Sequence, residues 1–240
     1  MRGAPRDAVP YLERAAAHSP RTVSATLARA LAAAGRTADA LKWFEAALAA
    51  APGDPDLCAD HAVSLRIAGR LAQAEASAKA ALHRDSGHAR AHYALGTVRQ
   101  AEFRHAAAIV EFDRALWAND KDATSRANKA TSLHALGRTP EALREYEQAV
   151  ADAPTNGDIW FSYGTVLQSV GRYEEARGAF RRARERKPEI AGIDAHLHHM
   201  HLKLCDWRGL EQVNARLIEA TQREIAAGTP VSASPFALFG

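Results

Sequence analysis

A 34-residue repeat constrains this chain more than any other feature. The dipeptide Gly-Arg begins at residues 35, 69, 137 and 171, so the copies are separated by 34, 68 and 34 residues. The copy that this phase requires in the gap falls at Phe103-Arg104, which keeps the arginine and replaces the glycine. A period of this length is typical of small units that bury their apolar faces only by stacking on one another.

Other columns keep the same phase. Alanine recurs five and twelve positions after each glycine position, and a larger side chain usually stands between the two alanines. The first alanine column is Ala40, Ala74, Ala108, Ala142 and Ala176; the second is Ala47, Ala81, Ala115, Ala149 and Ala183; the column between them is Phe44, Ala78, Phe112, Tyr146 and Phe180. Because alanine is the strongest helix former, and glycine and proline end helices, the pattern predicts a pair of closely packed helices in each repeat.

The pattern resembles the tetratricopeptide repeat, most closely in the last copy, with its Trp160, Tyr163-Gly164 and Pro188. The resemblance implies an all-α fold, a right-handed superhelix (an α-solenoid) of stacked helix-turn-helix repeats. We expect residues 1–20 to form a partial repeat or N-terminal cap, and residues 21–54, 55–88, 89–122, 123–156 and 157–190 to form five repeats. Residues 191–227 are then C-terminal helices, and residues 228–240 a loop.

Two residues depart from the columns. Phe103 stands where the other copies have glycine, and we expect its turn to adopt an ordinary negative φ; the alternative is a strained backbone. Arg99 stands where Leu31, Leu65, Leu133 and Leu167 occupy the other copies.

The cysteine content and the termini bound the class of protein. Cys58 and Cys205 are far apart and form no CxxC motif, which favours a reducing, cytoplasmic location. We expect both to be buried packing residues; a nucleophilic Cys205 is the alternative. The first ten residues contain no apolar signal segment, and no run approaches the ~20 apolar residues of a membrane span.

Histidines and arginines cluster late in the chain. His198, His201 and Cys205 have a spacing with which one helix face could present three metal ligands, but histidines that are partly capping and partly solvated are the preferred interpretation, and we assign no metal or cofactor. The basic residues near the end of the fifth repeat are interspersed with glutamates, so we do not expect nucleic acid as a ligand. These basic residues are Arg177, Arg181, Arg182, Arg184, Arg186 and Lys187.

A second resemblance concerns residues 196–239. Leu204-Cys205-Asp206-Trp207, followed by a helical stretch and Pro235-Phe236, is similar to the junction between the repeats and the catalytic region of O-linked N-acetylglucosamine transferases and their SPINDLY-like relatives. The resemblance implies a UDP-sugar-dependent protein glycosyltransferase as the parent. We find no room for its nucleotide-sugar domains and no glycine-rich phosphate loop, so we assign no catalytic residue and expect this chain to be inactive alone.

The repeat resemblance also implies a concave groove lined by the first helix of each copy. The residues at its groove-facing positions are Arg29, Asp60, Arg66, Arg90, Tyr93, Gln100, Asn128, Thr131, His134, Phe161, Thr165 and Gln168. Guanidinium, amide and aromatic groups suit a protein partner or an extended peptide. The asparagine ladder of the transferases is kept only at Asn128. We therefore expect a partner-binding scaffold, either part of a transferase or a stand-alone adaptor, with a homodimer possible; a third alternative is an enzyme whose catalytic half is a separate chain.

Overall fold

The computed structural model describes residues 5–18, 20–226 and 228, and the described residues form α-helices and no strands. The helices are α1 (Pro5–His18), α2 (Pro20–Ala33), α3 (Thr37–Ala50), α4 (Pro55–Ile67), α5 (Leu71–Arg84), α6 (Ala89–Ala101), α7 (His105–Ala118), α8 (Ala123–Ala135), α9 (Thr139–Asp152), α10 (Gly157–Ser169), α11 (Tyr173–Arg186), α12 (Ile193–Lys203) and α13 (Leu210–Ala226). They divide into two compact units, Met1–Leu136 with α1 to α8 and Gly137–Gly240 with α9 to α13.

The helices follow the 34-residue period. The first helices α4, α6, α8 and α10 begin at residues 55, 89, 123 and 157, and the second helices α5, α7, α9 and α11 begin at residues 71, 105, 139 and 173. In unit 1, α4 packs on α5, α6 packs on α7, and α4 also contacts α6; in unit 2, α10 packs on α11 and α11 on α12. The prediction of an all-α solenoid of stacked helix pairs is confirmed.

The alanine columns form the centre of each pair. Ala40, Ala74, Ala108, Ala142 and Ala176 are all fully buried, and the rings of Phe44, Phe112 and Phe180 are fully buried beside them. These alanines and rings lie on the second helices, and small residues on the first helices that they face let the rings approach closely, which gives the dense packing of a protein interior. Gly96 in α6 and Gly164 in α10 extend this arrangement, because each lies directly under the ring of Phe112 or Phe180.

The turn at Phe103 contradicts the sequence prediction. Its φ is +59°, in the left-handed region, so the expectation of a negative φ is wrong and the strained alternative is correct. The reason is the hydrogen bonding that ends α6: Phe103 N donates to Gln100 O at 3.0 Å, and Arg104 N donates to Arg99 O at 2.8 Å. Gly69 and Arg70 make the equivalent bonds to Arg66 and Leu65, with Gly69 at φ +76°. The helix ending therefore demands a left-handed residue whatever its side chain.

Arg99 replaces leucine because it binds two carboxylates. Its Nη2 lies 2.5 Å from Glu75 Oε1 on α5, and its Nη1 lies 2.9 Å from Glu102 Oε2. The Arg99 guanidinium and the Lys79 ammonium lower the pKa of Glu75 to about 2. The third repeat thus exchanges an apolar contact for an ion-pair network between α5 and α6.

The prediction for Cys205 is also wrong. Cys58 is buried, as expected, whereas Cys205 is exposed and left-handed, with φ +50°. It follows the end of α12, where Cys205 N donates to Leu202 O and Asp206 N donates to His201 O. The side chain therefore leaves the helix face on which the metal-ligand spacing depended. Of the loop expected at residues 228–240, all but residue 228 lies outside the described residues.

Candidate partner-binding site

The first-helix face of unit 1, defined as the surface that α2, α4, α6 and α8 share, brings three of the expected residues together. Asp60 of α4 lies between Arg29 of α2 and Arg90 of α6. Arg29 Nε donates to Asp60 Oδ2 at 2.5 Å, and Arg90 Nε pairs with Asp60 Oδ1. Three successive repeats are therefore linked by a single carboxylate.

The cluster consists of one buried carboxylate and two partly exposed guanidinium groups. The Asp60 side chain is 4% exposed, whereas those of Arg29 and Arg90 are 47% and 59% exposed. A buried carboxylate requires opposite charge and hydrogen-bond donors nearby. The hydrogen bond to Asp60 raises the pKa of Arg29, so the guanidinium stays charged. The surface that a ligand meets is consequently cationic.

Two further residues extend this surface. Arg66 is half-buried, and its Nε is buried without a hydrogen-bond partner among the described residues. Tyr93 is half-buried too, its ring centroid 6.3 Å from that of Phe112, and burial raises its pKa. An open pocket of about 460 Å³ lies beside Arg90 and Tyr93 and is also lined by Val63, Ala89, Asn119, Asp122 and Thr124.

The amides of the expected groove bind the protein itself. Gln100 Nε2 donates to Asn128 O at 3.3 Å and to Ser132 Oγ at 3.2 Å, and Asn128 Nδ2 donates to Thr124 O at 2.9 Å. Thr131 Oγ1 donates to Ala127 O at 3.1 Å, and His134 is half-buried. These residues stabilise α6 and α8 and their contact. Ser132, which joins the network, was not among the residues that the sequence predicted.

In unit 2, two of the three expected residues contact the next helix. The ring of His196 on α12 stacks on Phe180 at 4.7 Å and meets Phe161 edge-on at 5.2 Å, and its Nδ1 lies 2.8 Å from Gln168 Oε1. Burial lowers the pKa of His196, which favours the neutral ring. Thr165 is exposed, and its hydroxyl donates to Phe161 O. Phe161 and Gln168 therefore pack α12 against α10.

Several residues of the histidine and arginine clusters contact the protein itself. His201 Nδ1 lies 2.7 Å from Asp206 O, and His198 is buried. The described residues contain no group of three or more histidines, cysteines or carboxylates that could hold a metal ion. Among the basic residues of α11, Arg177 binds Glu174 and Asp206, and the Arg182 guanidinium lies 4.6 Å from the centroid of the Trp160 ring.

A comparison with protein families decides the class. The family model for the tetratricopeptide repeat matches residues 2–55, 60–124 and 128–189, more than half of the chain. The chain belongs to the tetratricopeptide repeat family. In this TPR chain, the described helices include none that is long and apolar enough to span a membrane.

One curated relative is similar to part of the TPR chain. A co-chaperone with tetratricopeptide repeats and a J domain, DNJ1 of Fusarium oxysporum f. sp. lycopersici, is 28% identical over 117 residues, which cover 45% of this chain and 22% of the relative. The TPR chain thus spans about a fifth of that relative's length.

Several solved structures resemble this chain in fold. A thermophilic TPR protein of Thermus thermophilus gives a TM-score of 0.70 at 22% identity and covers 76% of this chain and 99% of its own. The Cut9–Hcn1 hetero-tetramer of the APC/C gives 0.71 at 15% identity, covering 82% of this chain and 39% of the matched one. PilF of Pseudomonas aeruginosa gives a TM-score of 0.69 at 16% identity, covering 87% of this chain and 97% of its own.

Proposed function

We propose that this chain is an adaptor region that holds an extended segment of another protein along the first-helix face of unit 1. The observation that carries the proposal is the Arg29–Asp60–Arg90 cluster, which links three successive repeats and leaves two guanidinium groups accessible. A ligand that lies across the helices meets these groups in sequence, as a partner segment must on a repeat surface.

The charge of this face selects an acidic ligand. The exposed guanidinium groups of Arg29 and Arg90 outnumber the buried Asp60 between them, and Asp122 of the adjoining pocket already accepts hydrogen bonds from Thr124 N and Ser125 Oγ. Guanidinium groups bind carboxylates through two parallel hydrogen bonds. Tyr93, beside Arg90, supplies a flat surface for an aliphatic or aromatic side chain. The preferred ligand is therefore an extended segment that combines aspartate or glutamate with an apolar residue.

The J-domain co-chaperone supports an adaptor role. That relative combines tetratricopeptide repeats with a J domain, and its name describes it as a co-chaperone. A cytoplasmic location is part of the same proposal, and fluorescence microscopy of the tagged, full-length gene product tests it.

The experiment is a selection for peptide ligands. Random 12-residue peptides displayed on phage are selected against the wild-type chain and, in parallel, against the Arg29→Glu/Arg90→Glu variant. We expect the wild type to enrich peptides rich in aspartate and glutamate, and the variant to lose them. Enrichment of the same acidic peptides by both proteins, or no enrichment by the wild type, contradicts the proposal.

The partner-recognition region of a UDP-sugar-dependent protein O-glycosyltransferase is the second candidate. It rests on Leu204-Cys205-Asp206-Trp207, which forms the turn between α12 and α13, where Asp206 binds Arg177 and Arg208. The ordered turn supports a connecting role for this motif; Pro235-Phe236 lie outside the described residues. The J-domain co-chaperone, a relative with repeats, favours the adaptor. Transfer of a labelled sugar from a UDP-sugar by the full gene product would instead support the second candidate.

A further inference from the structure

The outer face of α7 carries an apolar stripe, defined here as Phe103, Val110 and Trp117. The three side chains are 84%, 48% and 88% exposed. They are spaced by seven residues, which is close to two helical turns, so Val110 and Trp117 lie on the same side of α7 and Phe103 precedes its first turn. Large side chains exposed together on one helix face mark an interaction surface.

The neighbouring repeats lack this stripe. The same three columns contain Gly35, Lys42 and Ala49 in the first repeat, Gly69, Ala76 and His83 in the second, Gly137, Arg144 and Ala151 in the fourth, and Gly171, Gly178 and Glu185 in the fifth. Only the third repeat therefore has a large apolar side chain in each of the three columns. Phe103 is present even though its left-handed backbone disfavours a side chain by ~1 kcal/mol. Because an exposed, strained ring contributes little to the fold, a partner is its best explanation.

A pocket lies beside the far end of the stripe. Trp117 lines it together with Leu82, Ser86, Gly87, His92 and Arg114, and its volume is about 530 Å³. The pocket is large enough for an aromatic ring. Phe103 lies at the opposite end of α7 from this pocket, so one molecule presents a projecting ring and a receptive pocket at the two ends of one helix.

We propose that a second copy of this chain docks on the stripe, with the two α7 helices antiparallel and a two-fold axis through Val110. Phe103 and Trp117 are equidistant from Val110 in the sequence, so the axis places each Phe103 against Trp117 and the adjoining pocket of the second copy. A two-fold interface requires a surface that is complementary to itself. The stripe meets this requirement because Phe103 at one end fits against Trp117 at the other end of the second copy, and Val110 in the middle meets Val110 of the second copy.

The charges of α7 are compatible with this arrangement. The axis places Asp113 opposite Ala107, and Arg114 opposite Ala106, of the second copy, so these two charged residues face small neutral ones, while Glu111 is paired with His92 and Arg114 of its own chain. The two alanines leave room for the longer side chains.

The exposed area predicts a weak dimer. Four aromatic rings at ~150–250 Å² each supply most of the buried surface. Their sum is below the ~1,200–2,000 Å² of a standard interface, so dissociation is expected at micromolar concentrations rather than nanomolar ones.

Sedimentation velocity tests the axis directly. Wild type is compared with Val110→Lys, with Val110→Glu and with an equal mixture of the two, from about 5 to about 200 μM, the range in which interfaces of this size dissociate. We expect the wild type to dimerise with increasing concentration. Each single variant stays monomeric because like charges face each other at the axis, and the mixture recovers the dimer because opposite charges then meet there.

Ala76→Lys and Ala76→Glu are the matched controls, since Ala76 is exposed and occupies the same column in the second repeat. They are expected to dimerise like the wild type, and circular dichroism checks that every variant is folded. A wild type that remains monomeric at the highest concentration overturns the proposal. So does dimerisation that survives both Val110 substitutions, or a mixture of the two variants that stays monomeric.

Discussion

Gly96 in α6 lies beneath the ring of Phe112 in α7, so closely that a Cβ at residue 96 would come within 2.7 Å of Phe112 Cε1. No neighbouring atom can yield easily there, because the ring is fully buried among the alanine columns. The glycine is thus required by packing between two helices, and its place inside α6 is otherwise unfavourable.

We predict that Gly96→Ala destabilises the chain by about 1–2 kcal/mol, because overpacking outweighs the gain in helix propensity. Gly178→Ala is the matched control: Gly178 lies inside α11, and a methyl group added there would meet no atom within 4 Å, so its substitution stabilises by up to ~1 kcal/mol. Urea unfolding followed by circular dichroism measures both. If Gly96→Ala were stabilising, the close approach of the two helices would be wrong.

We predict that removing the arginines of the Arg29–Asp60–Arg90 cluster costs more stability than removing its aspartate. Asp60→Ala leaves two partly hydrated guanidinium groups and costs about 1 kcal/mol of unfolding free energy. The Arg29→Ala/Arg90→Ala variant leaves a buried carboxylate without its partners and costs about 3 kcal/mol. Asp39→Ala, which removes an exposed partner of Arg36, serves as the control and is expected to leave the free energy of unfolding nearly unchanged. Equal losses in the first two variants would argue against a buried Asp60.

Phe103→Gly is predicted to raise the free energy of unfolding by about 1 kcal/mol. The substitution removes a side chain from a left-handed position and loses little packing, because the ring is exposed. Chemical denaturation at a low protein concentration, where only the monomer is present, isolates this effect. A loss of stability would show that the Phe103 ring contributes to the core.

The ion pairs of Glu75 contribute to the free energy of unfolding, and we predict that this contribution is lost in acid. Its pKa in the folded chain is lowered to about 2 by Arg99 and Lys79, below the ordinary value of 4.5. The stabilisation is therefore complete above pH 4.5 and is lost as the pH falls through about 2. Because the side chain is partly exposed, we expect about 1 kcal/mol after solvent screening.

Comparing the wild type with Glu75→Gln from neutral pH down to about pH 2 measures this contribution. The difference in unfolding free energy between the two proteins should shrink as the pH falls. A difference that stayed constant over this range would mean that the ion pair with Arg99 does not form.

The repeated columns explain why the fold was predictable. Glycine at 35, 69, 137 and 171 and the paired alanines each have one structural use, so their period specifies the helices and their stacking. Departures from the columns were harder to interpret. The prediction for Phe103 considered only the side chain, whereas the hydrogen bonds of the helix ending determine its backbone. Arg99 could not be matched with Glu75 without knowing which faces of α5 and α6 meet.

The site was predicted less completely. The groove positions identified Arg29, Asp60 and Arg90, but the sequence could not show that Asp60 is buried between the two arginines. Nor could it show that Phe161 and Gln168 contact His196, since that contact depends on how α12 packs after the last regular repeat. Of the apolar stripe on α7, the sequence analysis singled out Phe103 alone, and the joint exposure of Phe103, Val110 and Trp117 is seen only in the structure.

The most direct test of the central claim is the affinity of a selected acidic peptide for the first-helix face of unit 1. Fluorescence anisotropy compares the wild type with Arg29→Gln/Arg90→Gln, which keeps hydrogen-bond donors near Asp60, and with Arg36→Gln, in the turn before α3, as a control. We predict that the double variant weakens binding by about tenfold or more, corresponding to ~1.4 kcal/mol, and that the control changes nothing. Equal affinity of all three proteins would contradict the account.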